Sequence, residues 1–328
     1  MNINSLMNEF SNKRILVVGD VMIDAYRIGK VERISPEAPV PIVNLTKEES
    51  RLGGAANVAL NIASLGSNPI LCSFIGKDEA GDRFVQSMIE KGLSIEGLIQ
   101  DKMVKTTVKT RIIGNNQQLL RIDDEQLTPL NESQENLILK RISTLIEEGV
   151  DGIILEDYNK GVLTPRVIRE VISLANKLGI ITTVDPKKDN FFEFKHATLF
   201  KPNLKELKEG LNVDFNIDQD KVGFEAAVER MESLLENKIS LVTLSEHGVF
   251  IKDHENTHYI PAHFRNISDV SGAGDTVIAV ATLCLASGLS TEEVARVSNL
   301  AGGIVCEWSG VMPLNRGTLM DELNKLRV

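Results

Sequence analysis

Short apolar runs alternate along the chain with longer segments in which apolar residues recur at helical spacing. Six of the runs predict buried strands, at 14–20, 69–75, 151–155, 180–184, 197–200 and 240–244. Helices are predicted at 54–65, 79–91, 132–148 and 165–179, each closed by a glycine. Asn131, Thr164 and Ser290 are predicted N-caps, because their side chains can accept hydrogen bonds from the free backbone N–H groups in the first turn of a helix. Strands alternating with helices predict a parallel sheet covered by helices on both faces.

Two regions break this alternation, at about 25–51 and 104–123. Both contain runs typical of β-hairpins, and the second has a Gly114-Asn115 turn between two such runs. We expect them to form a small β-lid over the edge of the sheet. Because no linker or internal repeat interrupts the sequence, residues 1–328 are predicted to form a single domain that carries these segments.

Composition narrows the functional classes. Hydrophobic residues make up 42% and charged residues 25% of the 328 positions, as is typical of a soluble globular protein. The net charge of −10 argues against a nucleic-acid partner or an anionic membrane. Three isolated cysteines, Cys72, Cys284 and Cys306, predict buried free thiols and a reducing compartment. With no signal peptide and no apolar run of about 20 residues, we expect a cytoplasmic protein.

The candidate chemistry centres on Asp-Val-Ser-Gly-Ala-Gly-Asp-Thr at 269–276, which an apolar run at 277–286 follows. This pattern predicts a small-residue turn that opens a buried helix. The free N–H groups at such a helix start can hold an anion, and Asp275 places a carboxylate beside it. A phosphate cradle next to a base suits phosphoryl transfer to a hydroxyl. The alternative is structural: the aspartate complements the helix dipole and the glycines make room.

The common nucleotide-binding loops are absent from the sequence. There is no Gly-x-x-x-x-Gly-Lys-Ser/Thr, and Gly19-Asp20-Val21-Met22 does not fit Gly-x-Gly-x-x-Gly. P-loop and dinucleotide-binding folds therefore lose their main support.

Three motifs occur in order along the chain: Gly-Gly-Ala-Ala-Asn-Val-Ala at 53–59, Asn-Leu-Lys-Glu at 203–206 and Asp-Val-Ser-Gly-Ala-Gly-Asp at 269–275. Together they resemble the PfkB/ribokinase family of carbohydrate kinases over nearly the whole chain. Val270 departs from the family, in which Thr is common. The resemblance implies an ATP-dependent sugar kinase with a ribokinase-like α/β fold. In this three-layer fold, helices cover both faces of a parallel sheet, and a small β-lid is added to it.

The resemblance also implies catalytic roles. Asp275 would take the proton from the sugar hydroxyl as the phosphoryl group arrives. Backbone N–H groups of the preceding turn would hold that phosphoryl group: Gly272, Ala273 and Gly274. Sugar contacts are implied for Asp24, Gly53, Gly54 and Asn57, since glycines let a polyol lie against the backbone and asparagine can both donate and accept. The alternatives are a tightly packed helix start and an ordinary loop carboxylate.

On the nucleotide side, Asn203 and Glu206 would organise Mg²⁺, Glu206 through water, because Mg²⁺ keeps several of its own waters in proteins. The alternative is a simple helix start with Asn203 as its cap. Further nucleotide contacts are expected from Thr243, Ser245, Gly248 and Asn299. The implied cofactors are ATP and Mg²⁺, and the need for a monovalent cation is left open.

Segments at 33–41, 51–66, 116–121, 157–161 and 185–187 closely resemble one subfamily of these kinases. That subfamily phosphorylates the anomeric hydroxyl of D-glycero-β-D-manno-heptose 7-phosphate, in ADP-heptose biosynthesis for the lipopolysaccharide core or S-layer glycans. A phosphorylated substrate requires cations, for which the candidates are Arg111, Arg121, Lys160 and Lys187. Asp157, at a strand end, would hold a sugar hydroxyl.

The resemblance further implies a homodimer that pairs through the lids. Related kinases are often fused to a C-terminal adenylyltransferase, and since this chain ends at Val328, a separate adenylyltransferase is expected as a pathway partner. Two other functions stay open: another sugar or sugar-phosphate kinase of the same family, and a sugar-binding regulator that has lost catalysis. The intact Asp275 argues against the regulator, because a pure binding protein needs no base.

Overall fold

The computed structural model describes residues 2–263 and 265–326. The strands in this part of the chain are β1 (Arg14–Gly19), β2 (Val21–Ile34), β3 (Pro41–Gly54), β4 (Asn68–Gly76), β5 (Leu98–Asp101), β6 (Thr107–Gly114), β7 (Gln117–Asp124), β8 (Gly152–Glu156), β9 (Ile181–Asp185), β10 (Leu199–Phe200), β11 (Ile239–Thr243), β12 (Val249–Lys252) and β13 (Thr257–Ile260). The helices are α1 (Ile3–Ser11), α2 (Ala55–Ser64), α3 (Glu79–Glu90), α4 (Glu132–Glu147), α5 (Pro165–Leu178), α6 (Leu204–Leu211), α7 (Lys221–Leu235), α8 (Ala273–Ala286), α9 (Thr291–Val305) and α10 (Arg316–Lys325).

Nine strands form the main sheet, in the order β13-β12-β11-β10-β9-β8-β1-β4-β5. The seven strands from β11 to β5 in this order pair in parallel, which confirms the predicted parallel sheet. β12 and β13 add an antiparallel edge that the sequence pattern does not predict. A single short turn, Ser245–His247, joins β11 to β12, which permits a hairpin but not a helical crossover.

Side chains of the central strand alternate between two hydrophobic cores. Ile15 and Val17 of β1 pack with residues of α1, α2, α8, α9 and α10. Leu16 and Val18 point the other way and pack with residues of α4, α5 and α7. All four are completely buried. Helices therefore cover both faces of the sheet, which gives the predicted three-layer α/β arrangement.

The N-caps predicted from the sequence all form. Asn131, Thr164 and Ser290 each accept a backbone N–H of the first turn of their helices. Asn131 and Ser290 also complete capping boxes, and Pro165 occupies the first turn of α5. These signals are reliable because each one satisfies backbone groups that a helix end leaves free.

A second sheet, in the order β3-β2-β6-β7, contains the segments predicted as hairpins, and we call it the lid. β2 pairs antiparallel with β3 and parallel with β6, while β6 pairs antiparallel with β7. The inner part of β2, from Val21 to Tyr26, is buried against the main body, and its far end is exposed. Several apolar side chains of the lid are exposed: Ile34, Leu45, Leu120 and Ile122.

No helix among the described residues is long and apolar enough to span a bilayer. Cys72, Cys284 and Cys306 are buried free thiols, as predicted. Burial raises the pKa of the Cys72 thiol to about 12. Since the thiolate is the reactive form, this cysteine is inert at neutral pH.

Candidate active site

The start of α8 is where the sequence predicts an anion cradle. Gly272 is the N-cap with φ +79°, and a Cβ there would lie 2.9 Å from Asn57 Nδ2, so the turn requires glycine. Ala273 N–H donates to Val270 O at 3.3 Å. Within residues 2–263 and 265–326, the N–H groups of Gly272, Gly274 and Asp275 have no acceptor. Three donors at the helix start are therefore available to an anion.

Asp275 lies in the first turn of α8, and its carboxylate is buried. Asn57 Nδ2 donates to Oδ2 at 2.7 Å, and the Tyr158 hydroxyl donates to Oδ1 at 2.8 Å. Burial raises the pKa of Asp275, while the two hydrogen bonds act to lower it. Each oxygen has one neutral donor, which orients the carboxylate. Sequence reasoning missed Tyr158, whose only signal is its place just after a strand.

A cluster of carboxylates and lysines lies beside Asp275. Glu156, Asp185 and Asp275 have oxygens within 4.8 Å of one another. Burial, followed by the charges of the other two, raises the pKa of Glu156 well above its usual range. Asp185 pairs with Lys201 Nζ at 2.8 Å and Lys187 Nζ at 3.5 Å. Although burial acts to raise it, the pKa of Asp185 is lowered by these two ammonium groups.

This cluster has the composition of a site for a hard divalent cation. Glu156 is completely buried, and neither of its carboxylate oxygens has a hydrogen-bond partner within the described ranges. Mg²⁺ prefers such oxygen ligands. Lys201, which is only 2% exposed, was also missed by sequence reasoning, because a single lysine after a strand carries no pattern.

Asn203 and Glu206 form the start of α6. Asn203 Oδ1 accepts from Glu206 N at 2.8 Å, and Glu206 Oε2 accepts from Asn203 N at 2.9 Å, which completes a capping box. Lys187 Nζ donates to Glu206 Oε1 at 2.5 Å. Each carboxylate oxygen of Glu206 thus already accepts one hydrogen bond, so a directly coordinated metal would have to share an oxygen with one of these donors. The predicted role through water has no such requirement.

The sugar-side candidates meet at the base of the lid. A Cβ on Gly53 would lie 2.3 Å from Asp24 Oδ2, so any larger residue at this position would push the Asp24 carboxylate aside. Arg111 Nη1 lies 2.5 Å from Asp24 Oδ1. Gly54 is the N-cap of α2, and the buried Asn57 lies three residues later, in the first turn of that helix. The structure therefore brings Asp24, Gly53, Gly54 and Arg111 together and links Asn57 directly to Asp275.

Asp157 follows β8 and is buried. Its oxygens accept from Asn159 N–H at 2.8 Å and Asn190 Nδ2 at 3.1 Å. Burial, with a smaller contribution from the charge of Asp20, raises the pKa of Asp157 to about 6. These protein contacts give Asp157 a role in holding the loop, in addition to the predicted sugar contact.

Four of the nucleotide-side candidates line one cavity of about 660 Å³. Thr243, Ser245, Gly248 and Asn299 lie on its wall together with Ala273 and Gly274 of the helix start. Asn299 Nδ2 also donates to Pro261 O at 2.9 Å, which fixes the loop after β13. Asn203 borders an adjacent open cleft that shares Ser245 with this cavity. A cavity that ends at the anion cradle can hold a nucleotide with its terminal phosphate at α8.

Among the cations predicted for the substrate phosphate, Arg111 and Arg121 are paired across β6 and β7 of the lid, and the charge of Lys160 acts on Asp123, the ion-pair partner of Arg121. Lys187 lies in the buried cluster, and Lys160 Nζ pairs with Glu125 at 2.8 Å. Arg121 is half exposed on β7 and pairs with Asp123. Arg111 alone contacts the sugar-side aspartate.

A family model described as pfkB family carbohydrate kinase matches residues 12–316. The chain belongs to this pfkB family. Membership confirms the predicted resemblance and makes the protein an ATP-dependent sugar kinase.

Curated relatives of this pfkB kinase share one name. Bifunctional protein HldE of Geotalea uraniireducens is 39% identical over 323 residues, which are 98% of this chain and 65% of that protein. HldE of Helicobacter pylori is 40% identical over 293 residues, 89% of this chain and 62% of that protein. HldE of Granulibacter bethesdensis is 40% identical over 324 residues, which are 97% of this chain and 66% of that protein. The pfkB kinase chain therefore spans less than two thirds of these relatives.

Solved structures agree on the fold of the pfkB kinase. Phosphofructokinase-2 from Escherichia coli in complex with potassium matches with a TM-score of 0.79 at 22% identity, over 96% of this chain and 100% of that one. Arabidopsis thaliana ribokinase complexed with ribose and ATP matches with a TM-score of 0.73 at 17% identity, over 95% of this chain and 99% of that one. The ribokinase-like fold predicted from the motifs is confirmed.

Proposed function

We propose that the protein transfers the γ-phosphoryl group of ATP to the anomeric hydroxyl of D-glycero-β-D-manno-heptose 7-phosphate, giving the 1,7-bisphosphate. The observation that carries this proposal is the 39–40% identity to HldE proteins over 89–98% of the chain. The segments at 33–41 and 116–121 support it, because they belong to the lid and the loop beside it rather than to the general kinase motifs.

In the proposed reaction, ATP occupies the cavity lined by Thr243, Ser245, Gly248 and Asn299. Its γ-phosphoryl group lies at the free N–H groups of Gly274 and Asp275, which stabilise the charge that spreads over the transferring oxygens. The sugar lies between Gly53 and Asp275 with its anomeric hydroxyl at the carboxylate. Asp275 accepts the hydroxyl proton while the oxygen attacks in line.

The buried carboxylates support a role for Mg²⁺. Glu156 and Asp185 would hold the ion near Asp275, with Glu206 acting through water from the start of α6. When bound, Mg²⁺ neutralises charge on the β- and γ-phosphates. A monovalent cation is a further candidate, for which the potassium complex of phosphofructokinase-2 is the only support.

We also propose a homodimer and a place in ADP-heptose biosynthesis. The exposed apolar side chains Ile34, Leu45, Leu120 and Ile122 lie on the lid, where a second copy would cover them. The 1,7-bisphosphate would be processed further by other enzymes, including an adenylyltransferase. The relatives' additional length is not matched by this chain, so their second activity is not assigned to it.

The test is ADP release with Mg²⁺-ATP and a panel of acceptors: heptose 7-phosphate, fructose 6-phosphate, fructose 1-phosphate, ribose and no sugar. We expect strong turnover with the heptose phosphate alone and a product phosphorylated at the anomeric carbon. Turnover with another acceptor would keep the kinase and overturn the substrate. ATP binding without turnover on any acceptor would favour the silent sugar-binding regulator.

A further inference from the structure

Asp20 is a buried carboxylate to which the proposed reaction gives no role. It follows β1 directly and is only 1% exposed. Its oxygens accept three backbone N–H groups from the loop after β8. Tyr158 and Lys160 donate to Oδ2, each at 2.9 Å, and Val162 donates to Oδ1 at 3.0 Å. One side chain of β1's end therefore fixes the backbone of this loop at three points.

The conformation of the loop explains why it needs this carboxylate. Asn159 and Gly161 have φ values of +53° and +104°, which lie in the left-handed region. They alternate with the three donors, whose N–H groups all turn toward the carboxylate of Asp20. Backbone N–H groups that converge in this way form a concave site for an anion, and here the anion is a side chain of the protein itself. Removing the carboxylate would deprive all three N–H groups of a hydrogen bond to a charged acceptor.

The backbone of Asp20 contacts the segment on the other side of the proposed base. Its carbonyl accepts from Ala55 N–H at 2.9 Å, at the first residue of α2. This helix carries Asn57, whose amide donates to Asp275 Oδ2. The side chain of Asp20 holds the loop that carries Tyr158, which donates to the other oxygen. Asp20 thus contacts both chain segments that supply a hydrogen bond to the Asp275 carboxylate.

Tyr158 connects the loop to the reacting atoms. Its N–H is held by Asp20, and its hydroxyl donates to Asp275 Oδ1 at 2.8 Å. Because only two side-chain torsions separate the ring from the backbone, the hydroxyl follows a displacement of the loop. A shift of about 1 Å would take a bond of this length out of hydrogen-bonding range. The position of the loop therefore decides whether the carboxylate keeps this donor.

We propose that Asp20 is a positioning residue for the base: by holding the loop at 158–162, it places the Tyr158 hydroxyl on the Asp275 carboxylate. This inference rests on the proposed function, because it takes Asp275 as the group that accepts the hydroxyl proton. It does not depend on which sugar supplies that hydroxyl.

Asn190 provides a second tether for the same loop. Its Nδ2 donates to Asp157 Oδ2 at 3.1 Å and to Leu163 O at 2.9 Å. These two residues flank the segment that Asp20 holds. Asn190 is half-buried and contacts only the ends of the loop, so its loss should loosen the loop less than the loss of Asp20.

The proposal predicts a loss of turnover without a loss of ATP binding. Asp20→Asn keeps the size of the side chain but turns one acceptor oxygen into an NH₂ group that faces N–H donors of the loop. We expect kcat to fall roughly 10- to 100-fold, since a misplacement of about 1 Å can cost this much. Asn190→Ala should lower kcat about three- to tenfold. KM for ATP should stay within about twofold in both variants, because neither side chain lines the ATP cavity.

The test is a double-mutant cycle with Tyr158→Phe, which lacks the hydroxyl. If Asp20 acts through that hydroxyl, Asp20→Asn should lower kcat by no more than about twofold in the Tyr158→Phe background. Gly272→Ala acts at the anion cradle instead, so its loss of kcat should multiply with the loss from Asp20→Asn. A residue that only stabilises the fold would change kcat by the same factor in the wild type and in both backgrounds.

Asp253→Asn is the matched control. Asp253 also accepts three hydrogen bonds: Glu255 N–H at 2.9 Å and Asn256 N–H at 2.7 Å on Oδ1, and the Thr291 hydroxyl at 2.6 Å on Oδ2. It lies between β12 and β13, at the edge of the main sheet. Asp253→Asn should therefore leave kcat unchanged, whatever it does to the free energy of urea unfolding.

Turnover is measured with the acceptor that the panel identifies, and urea unfolding checks that each variant is folded. Loss of the Asp20→Asn effect in Tyr158→Phe alone would support the proposal. An unchanged kcat in Asp20→Asn, or the same factor in every background, would overturn it and leave the kinase standing. If Asp20→Asn does not fold, Asn190→Ala takes its place in the same cycle and is judged by the same two results. A wild type without turnover on any acceptor would refute the proposed function, and the role of Asp20 with it.

Discussion

Replacing Tyr158 with phenylalanine removes one hydroxyl and retains the ring. The lost contact is the 2.8 Å hydrogen bond to Asp275 Oδ1, while Asn57 continues to hold Oδ2. Hydrogen bonds to charged groups contribute about 1.5–3 kcal/mol. If the bond orients the base, kcat should fall roughly 10- to 150-fold, since each 1.36 kcal/mol is a factor of ten in rate.

Binding should be affected much less than turnover. Tyr158 does not line the cavity assigned to ATP, so KM for ATP should stay within about twofold, a change of under 0.5 kcal/mol. The assay is steady-state ADP release, with KM for each substrate determined separately. A fall in kcat with constant KM is the signature of an interaction that acts in the transition state.

Tyr259 offers a matched control for this prediction. Its hydroxyl donates to Glu225 Oε1 at 2.8 Å, the same kind of bond at the same length, on β13 at the sheet edge. Tyr259→Phe should leave kcat unchanged. Equal kcat values for Tyr158→Phe and Tyr259→Phe would refute the reasoning, because the loss of a phenol–carboxylate bond at Asp275 would then have no catalytic consequence.

Two further predictions concern the helix start and the buried cluster. Gly272→Ala should cost about 1 kcal/mol in backbone strain and push its Cβ to 2.9 Å from the Asn57 amide, lowering kcat at least tenfold. Gly288→Ala is the control, because Gly288 has a similar φ of +75° but its added Cβ would meet no atom within 4 Å. Equal kcat in the two variants would contradict the prediction for Gly272. Lys201→Met should lower the free energy of urea unfolding by about 3 kcal/mol, the lower end for a broken buried pair, because Asp185 loses its closer ammonium partner and keeps only Lys187. Exposed Lys205→Met should change it little, and a similar loss in both would count against the prediction.

The sequence predicts most of the elements that position the site. Local sequence is enough where a backbone feature needs a particular residue type. Examples are the cap at Asn131, which needs a side-chain acceptor, and the turn before α8, which needs small residues. The motifs at 53–59 and 269–275 are predicted separately, and the structure joins them through the Asn57–Asp275 bond. Elements with weak periodicity, such as α10 and the edge strand β13, are not predicted.

Residues that act through tertiary contacts leave no such signal. Tyr158 and Lys201 become neighbours of Asp275 and Asp185 only when β8, β9 and α8 are brought together by the fold. Lys109 faces Asp123 only because the register of β6 against β7 sets the two residues opposite each other. Asn203 and Glu206 show the reverse: the sequence allows both a metal role and a capping role, and the capping box is the contact that forms.

The most direct test of the central claim compares Asp275→Asn with the wild type, using heptose 7-phosphate and Mg²⁺-ATP. The asparagine can keep both hydrogen bonds, because the amide of Asn57 can flip and its Oδ1 has no other partner among the described residues. ATP and sugar binding, measured by calorimetry, should therefore persist. Turnover should fall by about 10²–10⁴, the usual contribution of a general base. Phosphorylation of the anomeric hydroxyl at an undiminished rate in Asp275→Asn would contradict the account.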